Sequence, residues 1–268
     1  MRQQSSLARL LASAAVTAMF AAGLGGCQTM ADITGSITSS KAEANPDADP
    51  RRAVEVYGER YRANSKDANA ALRYGQALRA TGQRSQAVAV LEQATIAHPG
   101  NKLMLAAYGR ALADNGNFKQ ALDVLGRAHS PDNPDWRILS VQGTALDQLG
   151  RHDEARRYYA SALKIVPDEP SVLSNLGMSY VLSKDLPKAE ENLRRAYGSA
   201  KADTRVRQNL GLVVGLQGRF AEAETIVKAD LPAEEAAANV AYLKQMLNRK
   251  DGPRGGGTMP VAALNRPD

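Results

Sequence analysis

The amino-acid sequence predicts an all-α protein assembled from a repeated unit of 34 residues. Aromatic residues make up only 5% of its 268 residues and alanine is abundant, which favours closely packed helices because strands are enriched in β-branched and aromatic residues. Glycine recurs every 34 residues, at Gly75, Gly109, Gly143, Gly177 and Gly211. Alanine recurs with the same spacing twelve residues after each glycine, at Ala87, Ala121, Ala155, Ala189 and Ala223. Small residues kept in step over five periods indicate a repeat protein.

The N-terminal segment, residues 1–26, has the pattern of an export signal. Arg2 and Arg9 supply positive charge, and residues 10–26 carry no charge at all. This apolar segment is shorter than the roughly 20 residues that a membrane-spanning helix needs. The pattern therefore predicts an export signal peptide over residues 1–26. The alternative is a short N-terminal anchor helix that is never cleaved.

The only cysteine of the chain, Cys27, follows this segment directly. A single cysteine excludes an intrachain disulfide and a cysteine-rich metal site. The stretch Leu24-Gly25-Gly26-Cys27 resembles the bacterial lipobox, in which an aliphatic and two small residues precede a cysteine. The resemblance implies cleavage before Cys27 and a covalent lipid (palmitate among its acyl groups) on the thiol. Because Gln28 is not the aspartate associated with inner-membrane retention, it also implies an outer-membrane anchor facing the periplasm.

A linker and a capping helix are predicted before the repeats. Residues 27–50 are rich in Ser, Thr, Ala, Asp and Pro and lack an apolar period, as expected for a lipidated N-terminus followed by a flexible linker. Residues 51–67 are interpreted as an N-terminal capping half-repeat. Ala53 lies 34 residues before Ala87, so this segment corresponds to the second half of a repeat, as a helix, without the first half.

The period and its residue types resemble those of the tetratricopeptide repeat (TPR), in which each repeat consists of two antiparallel helices. In the third repeat the match includes Gly143 in the first helix, Gly150 in the turn and Ala155 in the second helix. The resemblance implies a TPR α-solenoid, a right-handed superhelix of helix pairs with a cap at each end. The assigned repeats are 68–101, 102–135, 136–169, 170–203 and a shortened 204–231. The tryptophan expected early in the first helix is replaced by Ala71, Leu105, Leu139, Leu173 and Arg207.

A C-terminal capping helix is predicted over residues 232–250. Pro232 followed by Glu234 and Glu235 suits the first turn of a helix, where acids face the positive end of the dipole. The last repeat of a solenoid also needs a cover for its open face. Residues 251–268 are rich in Gly and Pro and are predicted to be a disordered tail.

The sequence shows no pattern typical of an enzyme or a metal site. His98, His129 and His152 occupy three different repeat positions and none has ligand spacing from another, so we expect solvated histidines rather than metal ligands. Phosphate-binding and hydrolase motifs are absent. The net charge of +6 is interspersed, without a block that would suit nucleic acid. We expect a non-catalytic protein with no metal, nucleic acid or small-molecule substrate, and with no cofactor apart from the lipid on Cys27.

The first helices of TPR proteins line the concave side that binds peptides, and this resemblance implies a partner-binding groove here. The corresponding positions are polar in the early repeats and more apolar in the late ones: Arg73, Gln76, Arg79, Arg110, Asn175, Met178, Val181, Leu182, Asn209, Leu212 and Leu216. Asn175 and Asn209 are equivalent, and an amide can bind the backbone of an extended peptide whatever its side chains. Alternatively, the asparagines bond within their own repeat, and the apolar residues pack against the next repeat or the cap.

The order of signal, lipobox, linker, five repeats and cap resembles that of TadD-type lipoproteins of the tight-adherence (Flp) pilus system. This resemblance implies a scaffold that binds an envelope protein, such as a secretin or another pilus-assembly component. Its role would be to localise or stabilise the outer-membrane secretin in the manner of a pilotin. The alternative is a TPR lipoprotein adaptor for peptidoglycan enzymes or for polysaccharide export.

Overall fold

The computed structural model of the chain describes residues 46–130 and 132–249. The predicted signal peptide, Cys27 and the tail over 251–268 lie outside these residues. Within the described ranges the chain forms one 3₁₀ helix, Pro46–Ala48, and twelve α-helices. The α-helices are α1 (Pro50–Ala63), α2 (Ala68–Ala80), α3 (Arg84–Ala97), α4 (Lys102–Asp114), α5 (Phe118–Ala128), α6 (Trp136–Gln148), α7 (His152–Ile165), α8 (Pro170–Leu182), α9 (Leu186–Tyr197), α10 (Thr204–Leu216), α11 (Phe220–Val227) and α12 (Ala233–Arg249).

The helices repeat with the period of the sequence. The first helices of the repeats, α2, α4, α6, α8 and α10, each contain 13 residues and begin at the same interval as the recurring glycines. The second helices, α3, α5, α7, α9 and α11, begin at that interval too. Each first helix packs against the second helix of its own repeat, and that helix packs against the next first helix. The predicted all-α repeat fold is confirmed.

In every repeat, the recurring glycine of the first helix packs directly against a large side chain of the second helix. A Cβ atom placed on Gly109 would lie 2.5 Å from the Cγ of Leu125, and one on Gly143 would lie 2.5 Å from the ring of Tyr159. The partners are Leu91, Leu125, Tyr159, Leu193 and Val227. Carbon atoms in contact are normally about 3.5–4 Å apart. The missing side chain of the glycine therefore allows the two helices of a repeat to approach closely.

The turn between the two helices of a repeat requires a left-handed backbone. Gly150 has a φ of 76° there, and the turn glycines of three other repeats have similar values. In the fourth repeat Lys184 occupies this position with a φ of 62°. A side chain in this conformation costs roughly 1–2 kcal/mol, which glycine avoids. The fourth turn therefore keeps the geometry of the others at the expense of local strain.

Helical structure is present before the point at which the sequence predicted it to start. The predicted flexible linker extended to residue 50, but Pro46–Ala48 is helical and the hydroxyl of Tyr57 donates a hydrogen bond to Asp47 Oδ1 (3.0 Å). Asp49 caps α1 by accepting a hydrogen bond from the backbone N–H of Arg51 (2.9 Å). An aspartate before a proline is typical of a helix start as well as of a linker. The linker prediction is wrong for these last residues.

Two departures from the repeat pattern in the last repeat compensate for each other. In earlier repeats an apolar residue of the first helix packs near an alanine of the second, as Leu173 does with Ala196. The equivalent residues in the last repeat are Arg207 and Asp230, which form a bidentate ion pair with N–O distances of 2.5 Å. Thr204 also donates a hydrogen bond to Asp230. An ion pair therefore replaces the apolar contact.

The C-terminal helix α12 covers the last repeat. It contacts both α10 and α11 and buries Ala236 and Val240. A Cβ on Gly215 of α10 would lie 2.5 Å from Leu243 Cδ2, so a second glycine permits this close contact. None of the helices in the described ranges is both long enough and apolar enough to span a membrane.

Candidate protein-binding surface

The first helices of successive repeats contact one another directly. The pairs α2–α4, α4–α6, α6–α8 and α8–α10 are all in contact, whereas no described second helix contacts the second helix of the following repeat. The first helices therefore form a continuous layer. We call the side of this layer that carries the predicted groove residues the first-helix face.

The two predicted groove arginines Arg79 and Arg110 differ in their surroundings. Arg79 Nε donates to Asp114 Oδ2 at 2.6 Å. Arg110 is half-buried and forms no hydrogen bond or ion pair with another described residue. Burial lowers the pKa of its guanidinium, and the nearby charge of Asp135 opposes this shift. Arg79 is therefore neutralised by its partner, whereas the positive charge of Arg110 has no such partner among the described residues.

The predicted groove asparagines connect neighbouring repeats. Asn175 Nδ2 donates to Ser140 Oγ at 3.1 Å, and Asn209 Nδ2 donates to Ser174 Oγ at 2.9 Å. Each serine is buried and belongs to the first helix of the preceding repeat. The amides therefore bond neither within their own repeat nor only to solvent. Each retains a carbonyl oxygen and one N–H that are not bonded to the described residues.

The predicted apolar groove residues are only partly covered. Met178, Leu212 and Leu216 are half-buried, and Leu182 remains 45% exposed. Val181 instead packs against the buried cluster that contains Leu193 and Leu210. Four of the five residues thus leave apolar surface open on α8 and α10, and Val181, which is also half-buried, contacts the core as well.

A buried polar cluster joins the third and fourth repeats and was not found from the sequence. Asp147 is only 7% exposed. Its Oδ1 accepts a hydrogen bond from Ser179 Oγ (2.7 Å) and lies 2.9 Å from His152 Nδ1, and its Oδ2 accepts one from the Tyr159 hydroxyl (3.0 Å). Burial, followed by the charge of Asp147, raises the pKa of Tyr159. Ser179 bonds to the carboxylate and not to the histidine, so the cluster lacks an activated nucleophile and connects repeats instead.

The three histidines, which the sequence predicted to be solvated, are half-buried, and each has a polar contact within the protein. His152 contacts Asp147, His98 Nε2 lies 2.8 Å from the backbone oxygen of Lys66, and His129 Nε2 lies 3.2 Å from Gln142 Oε1. Another helix or, for His98, the α1–α2 connection provides each partner, and a single-helix pattern does not show such contacts. In the described part of the chain, no three His, Cys, Asp or Glu side chains are grouped so that they could hold a metal ion.

A cleft on the first-helix face was also missed. It lies between the N-terminal ends of α4 and α6 and beside the α5–α6 connection, and its volume is about 350 Å³. Its lining includes Lys102, Leu103, Ala106, His129, Trp136 and Arg137. We call it the α4–α6 cleft. The groove residues predicted from the sequence occupy later positions of each first helix, whereas the cleft is lined by the first turns of α4 and α6. The only tryptophan of the chain, Trp136, lies there and was an available signal.

Family comparisons agree with the repeat geometry. A tetratricopeptide-repeat model matches residues 109–170 and again 140–204. The model for anaphase-promoting complex, cyclosome, subunit 3 matches residues 52–128. No curated protein sequence matches the chain.

Three solved structures align with the fold of the chain. The Cut9–Hcn1 hetero-tetramer of the APC/C aligns with a TM-score of 0.62 and 16% identity, over 76% of this chain and 41% of that chain. PilW, described as a widely conserved type IV pilus biogenesis factor, aligns with a TM-score of 0.64 and 17% identity over 74% and 94%. TTC0263, a TPR protein of Thermus thermophilus, aligns with a TM-score of 0.56 and 22% identity, over 68% of this chain and 97% of that chain.

The chain therefore covers less than half of the Cut9–Hcn1 chain that it matches, and at these identities the similarity concerns the fold alone. The matched repeats, the regular spacing of the helices and the glycine contact within every repeat lead to one conclusion. The chain has the all-α fold of a tetratricopeptide-repeat protein.

Proposed function

We propose that the chain is a non-catalytic scaffold that binds an envelope protein during assembly of a pilus or secretion apparatus. The observation that carries the binding role is the continuous first-helix face, whose last two repeats leave Met178, Leu182, Leu212 and Leu216 partly uncovered. Exposed apolar surface in adjacent repeats suits a protein partner, because its burial stabilises association.

The proposed location rests on the N-terminal sequence. A lipid on Cys27 would anchor the chain in the outer membrane, with the repeats in the periplasm. The order of signal, lipobox, linker and repeats supports a role in the tight-adherence pilus system, with a pilotin-like action on the secretin. The fold is one that a type IV pilus biogenesis factor also uses.

Charge substitutions on the first-helix face test the binding role. Met178→Asp and Leu212→Asp place a carboxylate in the apolar surface, and we expect both to abolish co-purification of the secretin or another pilus-assembly component. Ile96→Asp is the matched control, because Ile96 is 64% exposed on the second helix α3. Unchanged co-purification with all three variants, while far-ultraviolet circular dichroism shows intact helices, would place the interface elsewhere.

Deletion and acylation experiments test the pathway and the anchor. We expect deletion of the gene to remove surface pili and to reduce secretin multimers. Cys27→Ser should abolish the incorporation of labelled palmitate. Normal pili in the deletion strain, together with co-purification of peptidoglycan enzymes, would favour the cell-wall role over the pilus role.

A further inference from the structure

The α4–α6 cleft carries more positive than negative charge. Lys102 and Arg137 line it. Arg110 lies one helical turn after the lining residue Ala106, and it is close enough to Arg137 and Asp135 for their charges to act on its pKa. None of these three cations forms an ion pair with a described residue, whereas Asp135 Oδ1 already accepts the backbone N–H of Arg137 at 2.8 Å.

Arg110 is half-buried although its guanidinium has no hydrogen-bond or ion-pair partner among the described residues. A guanidinium that is withdrawn from water without a hydrogen-bond partner is destabilised. In the same layer, Arg79 has the carboxylate of Asp114 as its partner. The surroundings of Arg110 therefore suit an incoming anion that would take the equivalent place.

The cleft also exposes apolar side chains beside these charges. Leu103 is 71% exposed, which is the largest exposed fraction among the large apolar residues of the described chain. The guanidinium of Arg137 lies 4.5 Å from the ring centroid of Trp136, so the arginine is held over the aromatic face. A cationic site and an apolar site thus share one concave surface.

We propose that the α4–α6 cleft binds an acidic segment of the partner protein in which a carboxylate side chain lies next to a large apolar side chain. Arg110 and Arg137 bind the carboxylate, because guanidinium forks match its geometry. Leu103 and Trp136 contact the apolar side chain. This inference rests on the proposed scaffold function and adds a second contact region, in earlier repeats than the one that contains Met178.

Charge and shape favour a partner segment over other occupants. The chain's own residues 250–268 contain three basic side chains, Lys250, Arg254 and Arg266, against the two acids Asp251 and Asp268. They therefore do not complement a cationic cleft. A membrane surface is also a poor fit, because a flat bilayer cannot enter a cleft or reach the half-buried guanidinium of Arg110 one helical turn beyond its lining.

Direct peptide binding tests the proposal with the full chain purified in detergent. The probe is a short fluorescent peptide, blocked at both ends, in which Glu and Asp flank Phe and Leu. Matched peptides replace the acids with Gln and Asn, or the apolar residues with Ala. Fluorescence anisotropy should show salt-dependent binding of the first peptide and at least about tenfold weaker binding of both controls.

Matched variants assign the binding to the cleft. Arg110→Gln, Arg137→Gln and Leu103→Ser should each weaken binding of the acidic peptide by about tenfold. Arg205→Gln is the charge control, since Arg205 is exposed at the position equivalent to Arg137 two repeats later. Ile96→Ser is the apolar control. Because Arg137 and Leu103 are exposed, their variants remain informative if Arg110→Gln disturbs folding.

Several results would overturn the proposal. They are equal binding of acidic and neutral peptides, no binding to the unaltered chain, or equal affinity of the cleft and control variants. Peptide binding that appears only after removal of residues 250–268 would assign the cleft to that tail. Arg110-dependent binding to vesicles of anionic phospholipid, without peptide binding, would assign it to a membrane. If the peptide fails while Met178→Asp still abolishes co-purification, only the cleft assignment is lost and the proposed function remains.

Discussion

Substitution of Gly109 by alanine tests the close contact that defines each repeat. The added Cβ would lie 2.5 Å from both Cγ and Cδ2 of Leu125, which has no exposed surface. Restoring a normal carbon–carbon contact requires these atoms to separate by about 1 Å or more. Overpacking of this kind costs about 1–3 kcal/mol.

A gain in helix propensity opposes that cost. Alanine is about 1 kcal/mol more favourable than glycine inside a helix. Gly126→Ala is the matched control, because Gly126 lies within α5 and its added Cβ would have no neighbouring atom within 4 Å. Gly126→Ala should therefore stabilise the protein by up to about 1 kcal/mol, and Gly109→Ala should be less stable than this control by about 1–3 kcal/mol.

Urea denaturation followed by far-ultraviolet circular dichroism measures the difference. A double variant, Gly109→Ala with Leu125→Ala, removes the collision, so its destabilisation should be smaller than the sum of the two single effects. Equal stability of Gly109→Ala and Gly126→Ala, or strictly additive effects in the double variant, would refute the proposed role of the glycine contact.

Three other features give predictions. Arg207→Leu and Asp230→Ala should each lower the melting temperature, while the double variant should recover it by restoring the apolar contact; two additive losses would contradict this. The hydrogen bond from Arg207 lowers the pKa of Asp230, so the pair stabilises the fold above the unfolded pKa of about 3.9, and the loss in Asp230→Ala should shrink in melts at lower pH. Lys184→Gly should raise the free energy of unfolding in urea by about 0.5–1 kcal/mol by relieving a positive φ, and a decrease would argue against strain. Asp147→Ala should lower the free energy of unfolding by about 3 kcal/mol, because the buried hydroxyl groups of Tyr159 and Ser179 lose their acceptor. A loss below about 1 kcal/mol would contradict this.

The fold was predictable because the residues that define it recur at a regular spacing along the sequence. The glycine in each first helix and the alanine twelve residues later mark the crossing of two helices, and the structure places helices on that register. Lys184 was visible in the sequence as the exception to the turn glycines, yet it adopts the same left-handed backbone. A local pattern is sufficient for such features, since both partners lie within one repeat.

Contacts between repeats were harder to predict. Asp147 looks like an ordinary surface acid in α6, but Ser179 of the next repeat and Tyr159 of α7 enclose it. Arg207 is a departure from the repeat pattern that the sequence shows, whereas its pairing with Asp230 depends on the arrangement of α10 and α11 in space. The α4–α6 cleft was not predicted for the same reason, since it forms where two repeats and the α5–α6 connection meet.

Photo-crosslinking in living cells tests the central claim that the first-helix face binds an envelope protein. A photoreactive residue replaces Leu212 on this face and, in a matched strain, Ile165 at the end of the second helix α7. The account predicts one specific adduct from position 212, containing a secretin or another pilus-assembly component, and none from position 165. No adduct from position 212, or the same adducts from both positions, would contradict it.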